Sequence, residues 1–515
     1  MKPAVLALVF LLLTGPAVAQ PGASMRPEFQ AGLAAAVLAA SFEFLGPRTL
    51  EPASMQQFAL WGLRGITTLD AGLTVEQRDT VLDLRQADRS VYQRPVPPAP
   101  TAEGWANAGA DLMAAAWDAS DVIRDAGTQG LVTNFFDELF NHLDPYSRYV
   151  PPGAADIDRA RRSGEAGAGL VVAKAGDAFV VQTVNADGPG ADAGIVPGDR
   201  ILAVDDQPTR GEDLATVLAQ IAGLEGTDVS ISLRGRNGRT RVVEVERAVI
   251  PPETVFAQRM GGALTVRIAG FSQDTDQRLA RELERFVGIG PATRRSHGVV
   301  LDLRGNRGGL LRQAVTATDL ILDTGLVATT AGRNPNASRE WLAGTRDVTN
   351  GAPVVVVVDG RSASAAEIMA AALADQGRAV VVGSSTLGKG LVQTVTTLPD
   401  GGELFVTWSR VLAPLGWPIQ GLGVLPQVCT SQGQDATMQQ LTSLDHGKQR
   451  LADALARHRA ARAPLPNAEV IAIRNACPAA EGRDTDLAAA RYLLDHPAAY
   501  ATARLPRPKL SGEAP

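Results

Sequence analysis

The chain holds little of what metal or thiol chemistry requires. Its two cysteines, Cys429 and Cys477, and five histidines (His142, His297, His446, His458, His496) are scattered, with neither His-Glu-x-x-His nor Cys-x-x-Cys spacing. No metal site and no cofactor is therefore expected. The Gly-x-Ser-x-Gly elbow is also missing, which leaves a serine–histidine–aspartate triad only the distant His142 or His297 as a base. A net charge of −6 gives no electrostatic footprint for nucleic acid. Past the N-terminus, no apolar run approaches the roughly 20 residues that a membrane span needs.

What is present begins with an export pattern. Met1-Lys2 precedes an apolar run, Ala4 to Leu13, and the small residues Gly15 to Ala19, so residues 1–19 read as a secretory signal peptide cleaved before Gln20. No cysteine follows that cleavage point, which argues against a lipid anchor. The 515 residues, 45% hydrophobic, predict roughly three or four domains. Residues 20–129 read as a helical region, with helices over Leu33–Leu45, Gln56–Leu63 and Gly109–Ile123, interrupted by a linker at Pro95, Pro97, Pro98 and Pro100. A further helix is expected over Leu131–Leu139.

The most informative stretch runs from Gly360 to Glu367. A β-branched run, Val354 to Val358, stops at Asp359-Gly360, and a helical pattern resumes at Ile368. Ser362 and Ser364 therefore fall on a strand-to-helix turn. A helix N-terminus has unpaired N–H groups with partial positive charge, so the Ala365 N–H would face a developing oxyanion. A plainer alternative is that Ser364 and Glu367 form only a capping box. Further on, a second apolar run, Ala379 to Val382, opens into Gly388-Lys389-Gly390, one cation between glycines. As a general base, Lys389 would need its pKa lowered to roughly 7–8; Leu387, Leu391 and Val392 are the expected apolar neighbours. Gln393, four positions on, would accept a hydrogen bond from the amine. The strand expected from His297 to Arg304 ends in Gly305-Asn306-Arg307-Gly308-Gly309, where Gly308 or Gly309 would supply a second oxyanion N–H.

These segments together resemble the carboxyl-terminal processing (tail-specific) proteases. The family's alternating serines and alanines before Glu-Ile are matched by Ser362-Ala363-Ser364-Ala365-Ala366-Glu367-Ile368. The serine-to-lysine interval of 25 that the resemblance implies is met by Ser364 and Lys389, whereas Ser362 gives 27. Ala366 stands where a third serine is usual, and Gln427 where an aspartate is usual. Leu143-Asp144-Pro145-Tyr146-Ser147-Arg148-Tyr149 resembles the family's Leu-Asp-Pro segment, with a packing role expected.

Between about Gly164 and Val249, short strands alternate with glycine turns, and Ala193-Gly194-Ile195-Val196-Pro197-Gly198-Asp199-Arg200-Ile201 is similar to a PDZ domain. Such a domain grips a chain terminus on backbone N–H groups and adds it to a sheet edge; Gly167, Ala168, Gly169, Leu170 and Val171 are the expected cradle. Cys429 and Cys477, in an oxidising compartment, are expected to form a disulfide, with a helix over Asp484–Leu494 packing on that appendage.

The resemblance implies a ClpP/crotonase-like α/β protease core (residues 130–163 and 249–428) carrying an inserted PDZ domain (164–248), the N-terminal helical region and a C-terminal appendage (429–515). It further implies a periplasmic serine endopeptidase with a Ser364/Lys389 dyad oriented by Gln393. Its partners would be protein substrates with free C-termini and, through the N-terminal region, a regulatory adaptor or a second copy of the chain. The competing reading is a secreted PDZ scaffold with an inactive core.

Overall fold

The computed structural model describes residues 28–185, 188–260, 262–287 and 298–507. Residues 1–19, read above as a signal peptide, and His297 lie outside the described residues. The centre of the protein is a six-stranded sheet in the order Val255–Met260, Ala263–Ile268, Gly298–Asp302, Val354–Val358, Ala379–Gly383, Val428–Cys429. All neighbours are parallel except the first pair. A parallel sheet is covered on both faces, and its strands read as continuous apolar runs; Val354 to Val358 are all fully buried.

The two faces have different covers. Val354, Val356 and Val358 pack with Ala366, Met369 and Leu373 of the helix Ala365–Asp375. Val355 and Val357 point the other way, onto Leu441, Leu444, Leu493 and Leu494 of the C-terminal helices Gln434–Asp445 and Asp484–Asp495. The helix expected over Asp484–Leu494 thus forms, but it packs on the core sheet itself.

A second, antiparallel sheet runs Arg339–Ala343, Gly325–Ala331, Glu403–Leu412, Leu391–Thr397, and Arg148–Val150 joins it beside Glu403–Leu412. The chain therefore enters the core before it makes the inserted domain. A linking helix, Pro152–Ser163, leads out, and a two-stranded stalk, Glu165–Gly167 against Ala248–Ile250, closes the excursion. Between them lies a sheet in the order Thr240–Glu246, Asp228–Arg234, Arg200–Val204, Ala178–Val184, Leu170–Ala175, with the helix Leu214–Ile221.

The N-terminal region is only partly as expected. Helices Ala31–Leu45, Met55–Leu63 and Ala102–Ala119 form, and Asp121–Phe140 is bent where Gly127 leaves helical geometry (φ 73°, ψ 171°). Between the second and third of these helices sits an antiparallel sheet, Leu73–Arg78, Val81–Gln86 and Arg89–Pro95, which the helical expectation did not include. The region's apolar core also takes in Leu404 and Val406 of the second sheet and Leu398 just past the strand Leu391–Thr397, so it is packed directly on that sheet.

Candidate active site

The serine turn is set by Asp359, which ends the strand Val354–Val358. Its Oδ1 accepts the N–H groups of Gly305 (3.0 Å), Arg361 (3.0 Å) and Ser362 (2.9 Å), binding the two turns at the carboxyl ends of adjacent strands together. Ser362 is consumed by this work: fully buried, it accepts from the Asp359 N–H at 3.0 Å and donates to the Leu303 carbonyl at 2.8 Å. Ser364 lies next to it, half-buried, at φ 56°, ψ −115°. Glu367 accepts the Ser364 N–H as a capping box requires, yet an ordinary N-cap residue sits in the β region. A serine at positive φ is uncommon, and such outliers cluster at functional sites.

The glycine turn after Gly298–Asp302 backs onto this serine. A Cβ on Gly308 (φ 99°) would stand 2.8 Å from the Ser364 Cβ and 3.0 Å from the Ala363 carbonyl oxygen, so only glycine permits the approach. Buried Asn306 braces it, accepting the Gly308 N–H on Oδ1 at 2.8 Å, accepting the Ala363 N–H on its carbonyl at 2.9 Å, and donating through Nδ2 to the Ile268 carbonyl at 2.8 Å. The Gly308 N–H is thus engaged. Among the described residues, the N–H groups of Gly309 and Ala365 have no hydrogen-bond partner.

Glu367 joins the serine turn to the lysine loop. Its carboxylate is fully buried and accepts four bonds: from Ser364 N–H (2.7 Å) and Lys389 N–H (2.8 Å) on Oε2, and from Gly388 N–H (2.7 Å) and the Thr386 hydroxyl on Oε1. Burial pushes this carboxyl up from its usual range while the four donors pull it back. Charge-assisted bonds of this kind fix geometry firmly. From the sequence, Glu367 could be read only as half of a capping box; its bonds to the lysine loop come from a segment about twenty residues away and left no local signal. The lysine loop is closed from the other side by Ile419-Gln420-Gly421. A Cβ on Gly390 would stand 2.2 Å from the Gln420 nitrogen, which explains the glycine after the lysine.

The surroundings of Lys389 differ from those expected. Leu387 is 53% exposed and does not bury the amine. Gln393 does not bond it: a register shift between Val392 and Gln393 turns the amide toward Thr407 Oγ1 (3.1 Å) and the Leu391 carbonyl (3.3 Å). Lys389 precedes the strand Leu391–Thr397 and is not part of it, so an interval of four does not put its side chain and that of Gln393 on one face. What faces Lys389 Nζ is the ring of Tyr146, with its centroid 5.0 Å away. Burial and then the Arg148 charge hold the ammonium below its usual pKa, against the opposing pull of Asp144 and Glu367. No hydrogen bond joins Ser364 Oγ to Lys389 Nζ among the described residues.

The Asp144–Arg148 segment is therefore more than packing. Asp144 Oδ1 accepts from Tyr146 N–H (3.0 Å), Ser147 N–H (3.1 Å) and Thr407 Oγ1 (2.6 Å), and Ser147 Oγ accepts the Thr407 N–H at 2.9 Å. Thr407 links this turn to Gln393. At Gln427, the other departure from the family pattern, Oε1 accepts the Val381 N–H at 2.6 Å while the buried Nε2 has no partner among the described residues.

Away from the serine, a groove of about 950 Å³ is bounded by the expected cradle, Gly167 to Val171, by Leu218 and Ile221 of the inserted domain's helix, and by Arg278, Arg281 and Arg285 of the core helix Thr275–Val287. Gly169 takes positive φ (71°), and Ala168 is buried. The expected disulfide is present: Cys429 and Cys477 are bonded, with Cα atoms 5.6 Å apart. It anchors a strap behind the site, since the Cys477 carbonyl accepts from Ser385 Oγ (2.6 Å) and the Ala480 carbonyl accepts the Gly360 N–H (2.7 Å).

Two family models match the chain, the PDZ domain over residues 180–235 and peptidase family S41 over residues 263–430. A carboxy-terminal-processing protease of Bartonella bacilliformis is 33% identical over 59% of this chain and 70% of its own. The carboxy-terminal processing protease CtpA of Bacillus subtilis is 32% identical over 60% of this chain and 66% of its own. Among solved structures, a photosystem II D1 C-terminal processing protease is 28% identical and covers 57% of this chain and 81% of that one, with a TM-score of 0.34. On the extent of the Bartonella match, and with both family models falling in the order the fold requires, the chain belongs to peptidase family S41, the carboxy-terminal processing proteases, and carries their PDZ domain.

Proposed function

We propose that the protein is a periplasmic serine endopeptidase that cuts proteins near free C-termini, with Ser364 as nucleophile and Lys389 as general base. The observation that carries this reading is the positive φ of Ser364 at a helix N-terminus, held to the Lys389 loop by the buried Glu367 carboxylate. In the reaction, the neutral Lys389 amine takes the Ser364 proton as Oγ attacks the peptide carbonyl. The N–H groups of Ala365 and Gly309 hold the oxyanion; Gly309 is preferred to Gly308 because the Gly308 N–H already donates to Asn306. Lys389 then protonates the leaving amine, and water releases the acyl group. The dyad hydrogen bond forms on substrate binding, as catalytic bonds often tighten only in the complex.

The substrate tail docks in the groove bounded by Gly167, Ala168, Gly169, Leu170 and Val171, its carboxylate on backbone N–H groups. Export rests on residues 1–19 and agrees with the Cys429–Cys477 bond. The N-terminal region would serve self-association or an adaptor. A tail-binding scaffold without cleavage is the lesser reading, because Ser364, Lys389 and Gln393 are all present.

Cleavage of an unstructured protein tests this. Ser364→Ala and Lys389→Ala should each lower kcat by at least roughly a thousandfold with the fold intact. Lys389→Arg should be equally inactive, since a guanidinium stays charged. Ser362→Ala should lose about 1 kcal/mol of stability with its buried hydrogen bonds, while the folded variant still cuts. An active Ser364→Ala enzyme would refute the assignment.

A further inference from the structure

We infer that Tyr146 is a positioning residue whose ring holds the protonated Lys389 side chain in the resting enzyme and releases it on deprotonation. The inference rests on the dyad reading above. A ring face attracts an ammonium within about 6 Å of its centroid and has no such attraction for a neutral amine. Lys389 Nζ lies 5.0 Å from the Tyr146 centroid, and no hydrogen bond or ion pair to Nζ competes with the ring among the described residues.

The turn that carries the ring is itself firmly placed. Asp144 Oδ1 accepts the Tyr146 N–H at 3.0 Å and Thr407 Oγ1 at 2.6 Å, which fastens the turn to the strand Glu403–Leu412. The ionisable groups around the amine are Asp144 and Arg148 from the ring's own segment and Glu367 from the serine helix. Glu367 directs both carboxylate oxygens to donors in the turn and loop. Asp144 is saturated by Tyr146, Ser147 and Thr407. Among the described residues neither carboxylate forms an ion pair with Nζ, and the Tyr146 ring centroid stands 5.0 Å from it. Because the ring favours the charged form, it raises the pH at which the neutral base appears. Removing the ring should therefore bring that pH down.

The test uses two substitutions and two readouts on the full chain. In a Ser364→Ala background, the rate at which an amine-reactive acylating reagent labels Lys389 is followed against pH by mass spectrometry, which gives the midpoint for the amine without requiring cleavage. Tyr146→Leu, apolar but without a ring face, should move that midpoint down by about half a pH unit, a roughly threefold larger neutral fraction below it. Tyr146→Phe, which keeps the ring, should retain the original midpoint. In the active enzyme, the acid limb of kcat/KM should move with the labelling midpoint. If Tyr146→Leu leaves the midpoint in place, or moves it no differently from Tyr146→Phe, the inference is overturned. If the labelling midpoint moves and the acid limb does not, the ring holds the amine as inferred, and it is Lys389 as base that fails.

Discussion

The PDZ domain and the C-terminal appendage are both attached to one protease core, and they are attached in opposite ways. The PDZ domain has an apolar core of its own, around Phe179, Ile201, Val217 and Ile231, that contains no residue of the protease. Its connections are the linking helix and the short stalk. The appendage has no separate core. Leu441, Leu444 and Leu493 complete one face of the central sheet, Leu455 and Ile473 join the other apolar cluster, and Tyr500 Oη donates to the Val354 carbonyl at 3.1 Å. A unit with its own core can shift or be lost while the rest stays folded, and a unit that supplies part of another's core cannot. Position relative to the serine is thus free to vary on the PDZ side and is fixed on the appendage side.

Replacing both cysteines should have the largest effect on core stability. Cys429→Ser with Cys477→Ser should cost roughly 2–4 kcal/mol, read as a lower denaturation midpoint. Because the strap bonds Ser385 and Gly360 directly, activity should decline along with stability. A double variant as stable as the parent would show that the appendage is docked as loosely as the PDZ domain.

The second test uses His458, on the appendage helix Ala452–Ala460. Its ring lies 4.4 Å from that of Trp417, and Nε2 is 2.8 Å from the Gly423 carbonyl oxygen. Burial, opposed by the Gly423 bond, brings its pKa down to about 4. The folded state keeps the imidazole neutral where the unfolded chain, near 6.5, would protonate it. Stability is then fully present above about pH 6.5 and is lost as pH falls toward 4, by roughly 3 kcal/mol. Chemical denaturation at pH 7 and pH 4.5 should show this slope, and His458→Gln should flatten it. An unchanged slope in that variant would mean the appendage does not seal this ring from water.

Deleting the PDZ domain, with Gly164 rejoined to Ile250, should change core stability least. What should vanish is discrimination between tails: the intact enzyme should cut a free-acid tail faster than its C-terminal amide, mainly through KM, and the deleted form should not distinguish them. A core that unfolds on deletion, or equal kinetics for acid and amide in the intact enzyme, would contradict this picture.

Legibility in the sequence followed the range of the determining contacts. Val354–Val358 was readable to the residue because a strand buried on both faces has no polar positions, and the PDZ strands were readable because glycine turns separate them. The sheet over residues 73–95 carries no such signal: its turns use Asp79 (φ 50°) and Ala87 (φ 48°) where glycine would mark them, and its strands are largely polar. At the site, Ser364 and Lys389 stood out by local chemistry. A bulge hides the direction of Gln393, and nothing local marks Tyr146, whose partner lies in a loop more than two hundred positions away.

The backbone of Ser364 carries a wider consequence. A residue other than glycine held at φ 56° stores on the order of 1–3 kcal/mol, and glycine there would release it. If Ser364 is the nucleophile proposed above, losing it is the thermodynamically downhill change, one that trades cleavage for a more stable chain. On that reading the same fold, one substitution away, would be a sturdier protein that binds tails and leaves them uncut. Mutational drift at position 364 therefore pushes toward that state, and only a requirement for cleavage opposes it.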